Sequence, residues 1–551
     1  MTVSTDGQIA ETVFFGGDII TMDDQTPVAD SLAIGDGRIL AVGRRNELTP
    51  LIGNNTKMID LAGQTLMPGM IEPHTHPVVS ALLYDWTDLS GFNHPSGPDT
   101  MAALRRAVEK AKPGEWVCGF GYDPILNRDL DALTVDQLDE IAPNNPVFVM
   151  IQSMHTSFVN HMAFERAGIT DDTPQPAFGE YVKDASGRLT GAVIEQGAAL
   201  PLLFAIMMDS AIDGAALMEE QMKRYARAGY TAVGVMGDFP CFPDAMNILR
   251  QTAERHGSPV RVAFLDKATD LENNMPANLG PDSDRFRTVG VKFWYDGSPY
   301  TGNMFLDQPF LNSNLMQKGL GIPKDTCGYS MLPKETLLQL ARKYHAQGKQ
   351  ISVHGQGDKA VRDIIDVYEA VLKESPRPDH RHRIEHGALF PLSQLKRATD
   401  LGLTTSWHIN HIYYYGEALR DDMLGPERTE NLMPMGSAQQ WGHINSLHND
   451  SPMYPAEPLR LVRTAVTRTT RKGAVIGPVQ GIPVKDALKA VTINAAYQLF
   501  MDDIIGSITP GKRADLVILS DNPFKIDPMK LDQIQVLETW SDGMRCHTSA
   551  S

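Results

Sequence analysis

Cysteine is scarce in this chain: four residues in 551, at positions 118, 241, 327 and 546, with no CxxC spacing. That excludes a disulfide framework and a thiolate zinc site, and it fits a reducing compartment. Long apolar runs are missing too. No segment approaches the roughly 18–20 uninterrupted apolar residues that a membrane span requires. The opening MTVSTDGQIAETVFF has neither the basic n-region nor the apolar h-region of a secretory signal, so a cytoplasmic location is expected. Positive charge is in deficit, 50 Lys and Arg against 67 Asp and Glu, for a net charge of −17. Binding to nucleic acid rests on a cationic surplus, so neither nucleic acid nor a membrane is an expected partner. The acidic balance reads as solubility. There is no internal repeat and no low-complexity run, and the tail CHTSAS is expected to be unstructured.

What remains is an ordinary globular composition, 42% hydrophobic and 21% charged, long enough for one large domain and a smaller one. The first 65 residues and the segment GSITPGKRADLVILSDNPF near the other end carry short β-forming runs between Gly and Asp punctuation. The DG of AIGDGRIL predicts a hairpin turn. Residues 1–65 and 505–551 are therefore expected to combine into one small β-sandwich domain.

Between them, residues 66–504 alternate apolar strands with amphipathic helices, the pattern of parallel strands joined by crossover helices. Eight strand candidates can be counted: TLMPGMIEPHTH, YTAVGVMG, PVRVAFLD, RTVGVKFWYDG, QISVHGQG, RHRIEHG, LTTSWHI and HINSLHND. Eight such units predict an α/β fold of the (β/α)8 TIM-barrel type. Residues 78–212 break the count and hold WVCGFGYD, PVFVMIQSMHT and a hairpin-like EYVKDASGRLTGAVIE. Inserted after the first strand, they are expected to cover the barrel mouth and shape the pocket.

The chemistry gathers at predicted strand ends. In IEPHTHP, His74 and His76 are two apart on a strand and point to the same side. His354 ends QISVH, His386 ends RHRIEH and Asp450 ends HINSLHND. In a barrel these termini converge on one face. Imidazole and carboxylate donors suit zinc or a similar divalent ion. A lone histidine at a strand end is more often structural, but this many on one face are hard to explain by packing. Lys292 lies inside an apolar strand, where an ammonium is expensive to bury. Two readings stay open from the residues: a buried ion pair, with Asp296 the nearest partner in sequence, or a lysine carboxylated by CO2.

The ordered set PHTH, VKFWYDGS, VH, IEH and NDSP resembles the amidohydrolase superfamily, and within it the amidohydrolase-3 group that includes N-substituted formamide deformylase-like proteins. The likeness runs over nearly the whole chain, including the closing GSITPGKRADLVIL. It implies a barrel with one or two divalent metals, commonly zinc, often bridged by a carboxylated lysine. Transferred residue by residue, His74, His76, Lys292 and Asp450 would hold the more buried ion, and Lys292, His354 and His386 the more exposed one. MHTSFVNHMAF resembles the group's insertion and marks His155 and Asn160 as pocket residues. One departure is visible in SWHINHIYYYGE: the group more often has Gln where His408 stands, followed by a histidine placed here at His411.

The resemblance implies hydrolysis of an amide, formamide or carbamate C–N bond in a small molecule. Asp450 would act as acid and base, and His411 or Tyr295 would steady the developing oxyanion. His408 and Trp294 are expected at the substrate. Aromatic residues near the presumed mouth (Tyr84, Trp86, Phe92, Tyr300, Trp407, Tyr413 and Tyr414 with them) point to a bulky or aromatic acyl side. Two rivals stand beside this reading. A mononuclear deaminase of the same superfamily would lack the strand-four lysine and carry Glu just after the strand-five histidine, whereas HGQGDK follows here. A non-catalytic scaffold or regulator would have lost metal ligands. The oligomeric state is not legible in the sequence, and a homo-oligomer stays open.

Overall fold

The computed structural model describes residues 8–176, 179–210, 212–239, 241–268 and 279–549. Its centre is a parallel eight-stranded sheet: β1 (Met70–Thr75), β2 (Tyr230–Met236), β3 (Arg261–Lys267), β4 (Phe286–Trp294), β5 (Gln350–Gly355), β6 (Arg383–His386), β7 (Thr404–Trp407) and β8 (Asn445–Leu447). Neighbours in this order are hydrogen-bonded, so all eight sequence candidates supply a strand. Such strands are covered on both faces, which is why β2 is buried throughout and reads as one apolar run.

Helices wrap the sheet. Asp358–Glu374 buries Val361, Ile364, Ile365, Tyr368 and Val371, a stripe at helical spacing. Gly229 and Gly348 follow two of these helices with φ of +88° and +74°, the left-handed stop that glycine adopts without a Cβ penalty.

The seam between β8 and β1 is drawn together by side chains. Asn449 donates its backbone N–H to both carboxylate oxygens of Glu72 at 3.2 and 3.1 Å, and its amide to Oε2 at 2.7 Å. The His76 N–H donates to the Ser451 carbonyl at 3.0 Å.

The two chain ends share one eight-stranded sheet. Its order is Met544–Thr548, Val536–Ser541, Leu516–Leu519, Thr65–Pro68, Thr12–Ile20, Val28–Gly35 and Arg38–Gly43, with Lys57–Asp60 also on Thr12–Ile20. Thr12–Ile20 serves three partners because it bends at Gly16 (φ +77°): Thr12–Phe15 pairs with Lys57–Asp60, and Asp18–Ile19 with Thr65–Leu66. The expected DG hairpin is present, with Asp36 and Gly37 both at positive φ. Pairing thus shows one sheet built from both termini. The tail departs from expectation, because Cys546–Thr548 belongs to the last strand, held by Val536–Ser541. Arg261 of β3 locks barrel to sheet: fully buried, it donates to Asp515 at 2.7 and 3.1 Å and also pairs with Asp542.

Within 78–212 lies a third sheet. Thr87–Asp88, Val117–Tyr122 and Val147–Ile151 run parallel, and Thr156–Val159, Leu189–Ile194 and Glu180–Lys183 continue it antiparallel. This sheet is bonded to the loops after β7 and β8. Gln152 donates to the Met453 carbonyl at 2.7 Å, Arg471 to the Gly91 carbonyl at 2.8 Å, and the Tyr415 hydroxyl to buried Asp123 at 2.5 Å.

Candidate metal centre

Period-two alternation sends Glu72, His74 and His76 to the barrel interior from the end of β1. Asp450 arrives from the β8 loop, pinned by the Glu72–Asn449 bonds just before it. It holds a φ of +57°. Asp450 Oδ1 lies 3.5 Å from His74 Nε2 and 3.3 Å from His76 Nε2. Its other oxygen, Oδ2, is 3.8 Å from His386 Nδ1 and 3.9 Å from His408 Nδ1. His386 also sits at positive φ, +72°. That turn lets consecutive residues of β6 both reach the centre, Glu385 toward His74 and His386 toward Asp450. Non-glycine residues in this backbone region are uncommon and collect at functional sites.

Acceptor-only partners fix the imidazoles. His74 Nδ1 is 2.7 Å from Glu385 Oε2, and His354 Nδ1 is 2.9 Å from Asp296 Oδ1. A carboxylate can only accept, so each Nδ1 carries the proton and each Nε2 keeps its lone pair. Metal-ligating histidines show this arrangement. Glu385 is itself held by the Ser352 hydroxyl at 2.7 Å and by Arg383 at 2.7 Å. Burial pushes His74, His386, His408 and His448 far below the ordinary imidazole range, keeping them neutral and able to donate lone pairs. Burial also acts to raise Asp450, but the hydrogen bond from His76 and the nearby Lys292 ammonium hold it well below the usual carboxylate range.

Lys292 is wholly buried, with Nζ 3.3 Å from His74 Nε2 and 4.7 Å from the Trp294 ring centre. Gly237 makes room: a Cβ there would stand 2.8 Å from the Trp294 ring and 3.2 Å from Lys292 Cβ. Burial pushes the amine down to about 8, against the pull of Glu385 and Asp450. Lys292 forms no ion pair with a described carboxylate. The Asp296 ion pair weighed above is therefore corrected. Asp296 is fully used by His354 and by the backbone N–H groups of Gln356, Gly357 and Phe305.

The structure brings together His74, His76, Lys292, His354, His386 and Asp450, and adds His408. Other expected residues fall elsewhere. Tyr295 follows the last residue of β4 and takes the opposite side from Lys292 and Trp294. Its hydroxyl donates to Asp363 on the outer helix at 3.0 Å, so it does not face the centre. His411 stands one ring behind His408, at 4.2 Å between centroids. Its Nδ1 lies 2.6 and 2.8 Å from the Tyr300 and Tyr454 hydroxyls, and its Nε2 is 3.1 Å from Gln356 Nε2. With both nitrogens engaged, it braces His408 and has none free for an oxyanion.

Asn160 is a helix cap. Its side-chain oxygen accepts from Ala163 and Val147, and its amide donates to Asn145, which leaves nothing for a substrate. His155 pairs with Glu195 at 3.0 Å inside the inserted sheet, and among the described residues no hydrogen bond joins it to the cluster. Trp407 packs under Gly387 and donates to Asn445, and Trp86 packs on Phe148, so neither forms part of an aromatic mouth. Trp294 stays beside Lys292, with the Phe239 ring 5.9 Å away.

The residue that sequence reasoning missed is His448. It stacks on His74 at 4.6 Å, its Nε2 is 3.1 Å from His386 Nδ1, and its Nδ1 is 2.7 Å from the Ser406 hydroxyl. Its spacing of two from Asp450 was the available signal.

Fold and site together define a barrel hydrolase whose strand-end histidines can hold metal. Comparison with known proteins gives the family. The model of the amidohydrolase family matches residues 57–547, and the chain belongs to that family, whose members are hydrolases acting on C–N bonds. Among curated relatives, the N-substituted formamide deformylase of Arthrobacter pascens is 28% identical, over 98% of each chain. The protein LONG AFTER FAR-RED 3 of Arabidopsis thaliana is also 28% identical, over 98% of this chain and 92% of its own. A crystal structure of a metal-dependent hydrolase from Pyrococcus horikoshii OT3 superposes with a TM-score of 0.71 at 21% identity, covering 94% of this chain and 99% of that one. Among the described residues, no single helix is long and apolar enough to cross a membrane.

Proposed function

We propose that the protein hydrolyses an amide, formamide or carbamate C–N bond in a small substrate, at a centre that takes two divalent ions, with zinc the first candidate. The observation that carries this is the fixed tautomer of His74 and His354, each with Nδ1 on a buried carboxylate and Nε2 left with its lone pair, that of His74 standing 3.5 Å from Asp450 Oδ1. His74, His76, Lys292 and Asp450 would hold one ion, and Lys292, His354 and His386 the other. When bound, such ions supply Lewis acidity and a water acidic enough to ionise near neutral pH. Asp450 takes the proton of the attacking water and returns it to the leaving nitrogen.

Lys292 would act as a carbamate, its amine adding CO2 and losing a proton. The residue is then a buried anion in place of a buried cation, and its complete burial without an ion-pair partner supports this. Trp294 and Phe239 support an apolar or aromatic acyl side. The bonds from residues 78–212 to the loops after β7 and β8 support a role for that segment as a wall of the substrate cleft.

The name of the Arthrobacter relative makes N-substituted formamides the first class to try. Metal-reconstituted protein should turn over at least one compound in a panel of formamides, N-acyl amines, carbamates and hydantoins. Two bound equivalents of metal with no turnover anywhere in the panel would sink the reading. Lys292→Ala should lose activity and recover part of it with added short carboxylic acids. Unchanged activity and metal content would remove the carbamate.

A further inference from the structure

We infer that Lys267, at the end of β3, receives a carboxylate of the substrate, so that the molecule cleaved carries a negative group beyond the aromatic pair Phe239 and Trp294. The inference rests on the hydrolase reading above and narrows its substrate class.

Strand period fixes where the side chain points. Ala263 and Leu265 pack with Met236 and Leu499. That cluster lies in the barrel lumen, because Met236 touches the Ser352 hydroxyl that also holds Glu385. Lys267 is the next residue of the same row, and it stands level with Lys292 across the β3–β4 ladder. Backbone bonds close the strand ends around it. The Gly237 N–H donates to the Leu265 carbonyl at 2.9 Å, and the Ala268 N–H to the Lys292 carbonyl at 3.1 Å. A Cβ on Gly237 would stand 3.3 Å from Lys267 Cα, so glycine there lets the β2 turn bring Phe239 alongside.

The ammonium rests on aromatic faces. Nζ is 3.8 Å from the Phe239 ring centre and 5.6 Å from that of Trp294. The same two rings reach the metal centre: Phe239 lies 6.4 Å from the His76 ring, and Trp294 lies 4.7 Å from Lys292 Nζ. A single ring therefore separates Lys267 from His76, and another separates it from Lys292. A small substrate held at the centre spans that separation.

No anion of the protein answers this cation. Among the described residues, Lys267 has neither a carboxylate partner nor a hydrogen-bond acceptor. Asp266 takes the other face of β3 by alternation. Asp238, beside Phe239, is occupied by the N–H groups of Val78 at 2.7 Å and Phe239 at 2.9 Å. Lys267 is half-buried, and burial alone pushes its amine below the ordinary range. Ring faces attract an ammonium but accept none of its three N–H bonds in the way an oxygen does. A carboxylate supplies those acceptors in a charge-assisted bond, to a cation that is already partly stripped of water and held in place. A neutral substrate leaves it unmatched.

The test uses N-formylphenylalanine and N-formylphenethylamine, formamides that differ only by the carboxylate, with the metal-loaded parent, Lys267→Met and Lys267→Arg. The parent should favour the acid in kcat/KM. That preference should fall by about 10–100-fold in Lys267→Met, chiefly through KM, and return in part in Lys267→Arg. Metal content and melting temperature are the folding controls. No preference for the acid in the parent, or the same preference in Lys267→Met, would overturn the inference and leave the hydrolase reading intact. If neither formamide is cleaved, calorimetric binding of hydrocinnamate and of hydrocinnamyl alcohol decides. Affinity for the acid that drops by the same factor in Lys267→Met keeps the carboxylate site while counting against formamides as the substrate. Equal affinity in parent and variant assigns the acid to the metal and overturns the site, as does an acid that does not bind at all. Should Lys267→Met fail to fold, Lys267→Gln replaces it in both measurements.

Discussion

Glu385 and Asp296 decide what their histidines can do. Each accepts an Nδ1 proton, and each is held by further donors that prevent it from turning away. Replacing either by its amide keeps the shape but lets the imidazole choose the wrong tautomer. Glu385→Gln and Asp296→Asn are each expected to weaken metal binding by about 10–100-fold, read by chelator competition. Glu385→Gln should also lower the melting temperature, because Arg383 is fully buried and keeps its charge without that carboxylate. Asp450→Asn removes the proton carrier, and kcat should fall by about 10²–10⁴, measured at saturating metal so that weaker binding does not mimic the loss. Unchanged kcat in that variant would take the acid–base role away from Asp450.

Among elements, the junction between the inserted sheet and the helix Asn410–Ala418 is made by Tyr415 and Asp123. Burial raises the Asp123 carboxyl to about 6, against the bonds from Tyr415, Ile125 and Leu126. A carboxyl raised in the folded state binds more protons there than in the unfolded chain. Its contribution to stability therefore falls as pH rises from about 4 to 6. Asp123→Asn should flatten that part of the pH–stability curve, seen as a smaller drop in melting temperature between pH 4 and pH 7 than in the parent protein. An identical drop in both would refute it.

Element geometry also explains what the sequence revealed. The strand ends were legible because His74, His76, His354, His386 and Asp450 each stand beside a turn signal. The alternation that correctly paired His74 with His76 applies equally to β4, where Lys292 and Trp294 share a side and Tyr295 must take the other. It applies again to His448, two residues before Asp450. What no pattern could reveal is positive φ at His386 and Asp450. Those backbone turns aim side chains independently of strand period, and they arise from tertiary bonds such as Glu72 to Asn449. Asn160 was legible as a helix cap, since a capping residue precedes HMAF, but the family likeness outweighed the local signal.

At the scale of the whole molecule, Arg261 is the one fully buried cation that joins barrel strand to terminal sheet among the described ion pairs. Arg261→Met leaves buried Asp515 with an uncompensated charge, while Asp542 keeps Arg285, an effect on the order of 3–5 kcal/mol when one partner of a buried pair is removed. The expected result is a clearly lower denaturation midpoint with metal stoichiometry retained at low temperature. A midpoint unchanged from the parent would show the pair to be dispensable. The sheet that Arg261 reaches has a further consequence in time. Thr65–Pro68, which leads directly into the strand bearing His74, pairs with Leu516–Leu519. About 450 residues separate those partners, roughly 20–90 s of synthesis at 5–20 residues per second. During that interval on the ribosome, the strand that begins the metal centre lacks its flank. Nascent chains should therefore acquire tight metal retention only after the last β-hairpin has emerged.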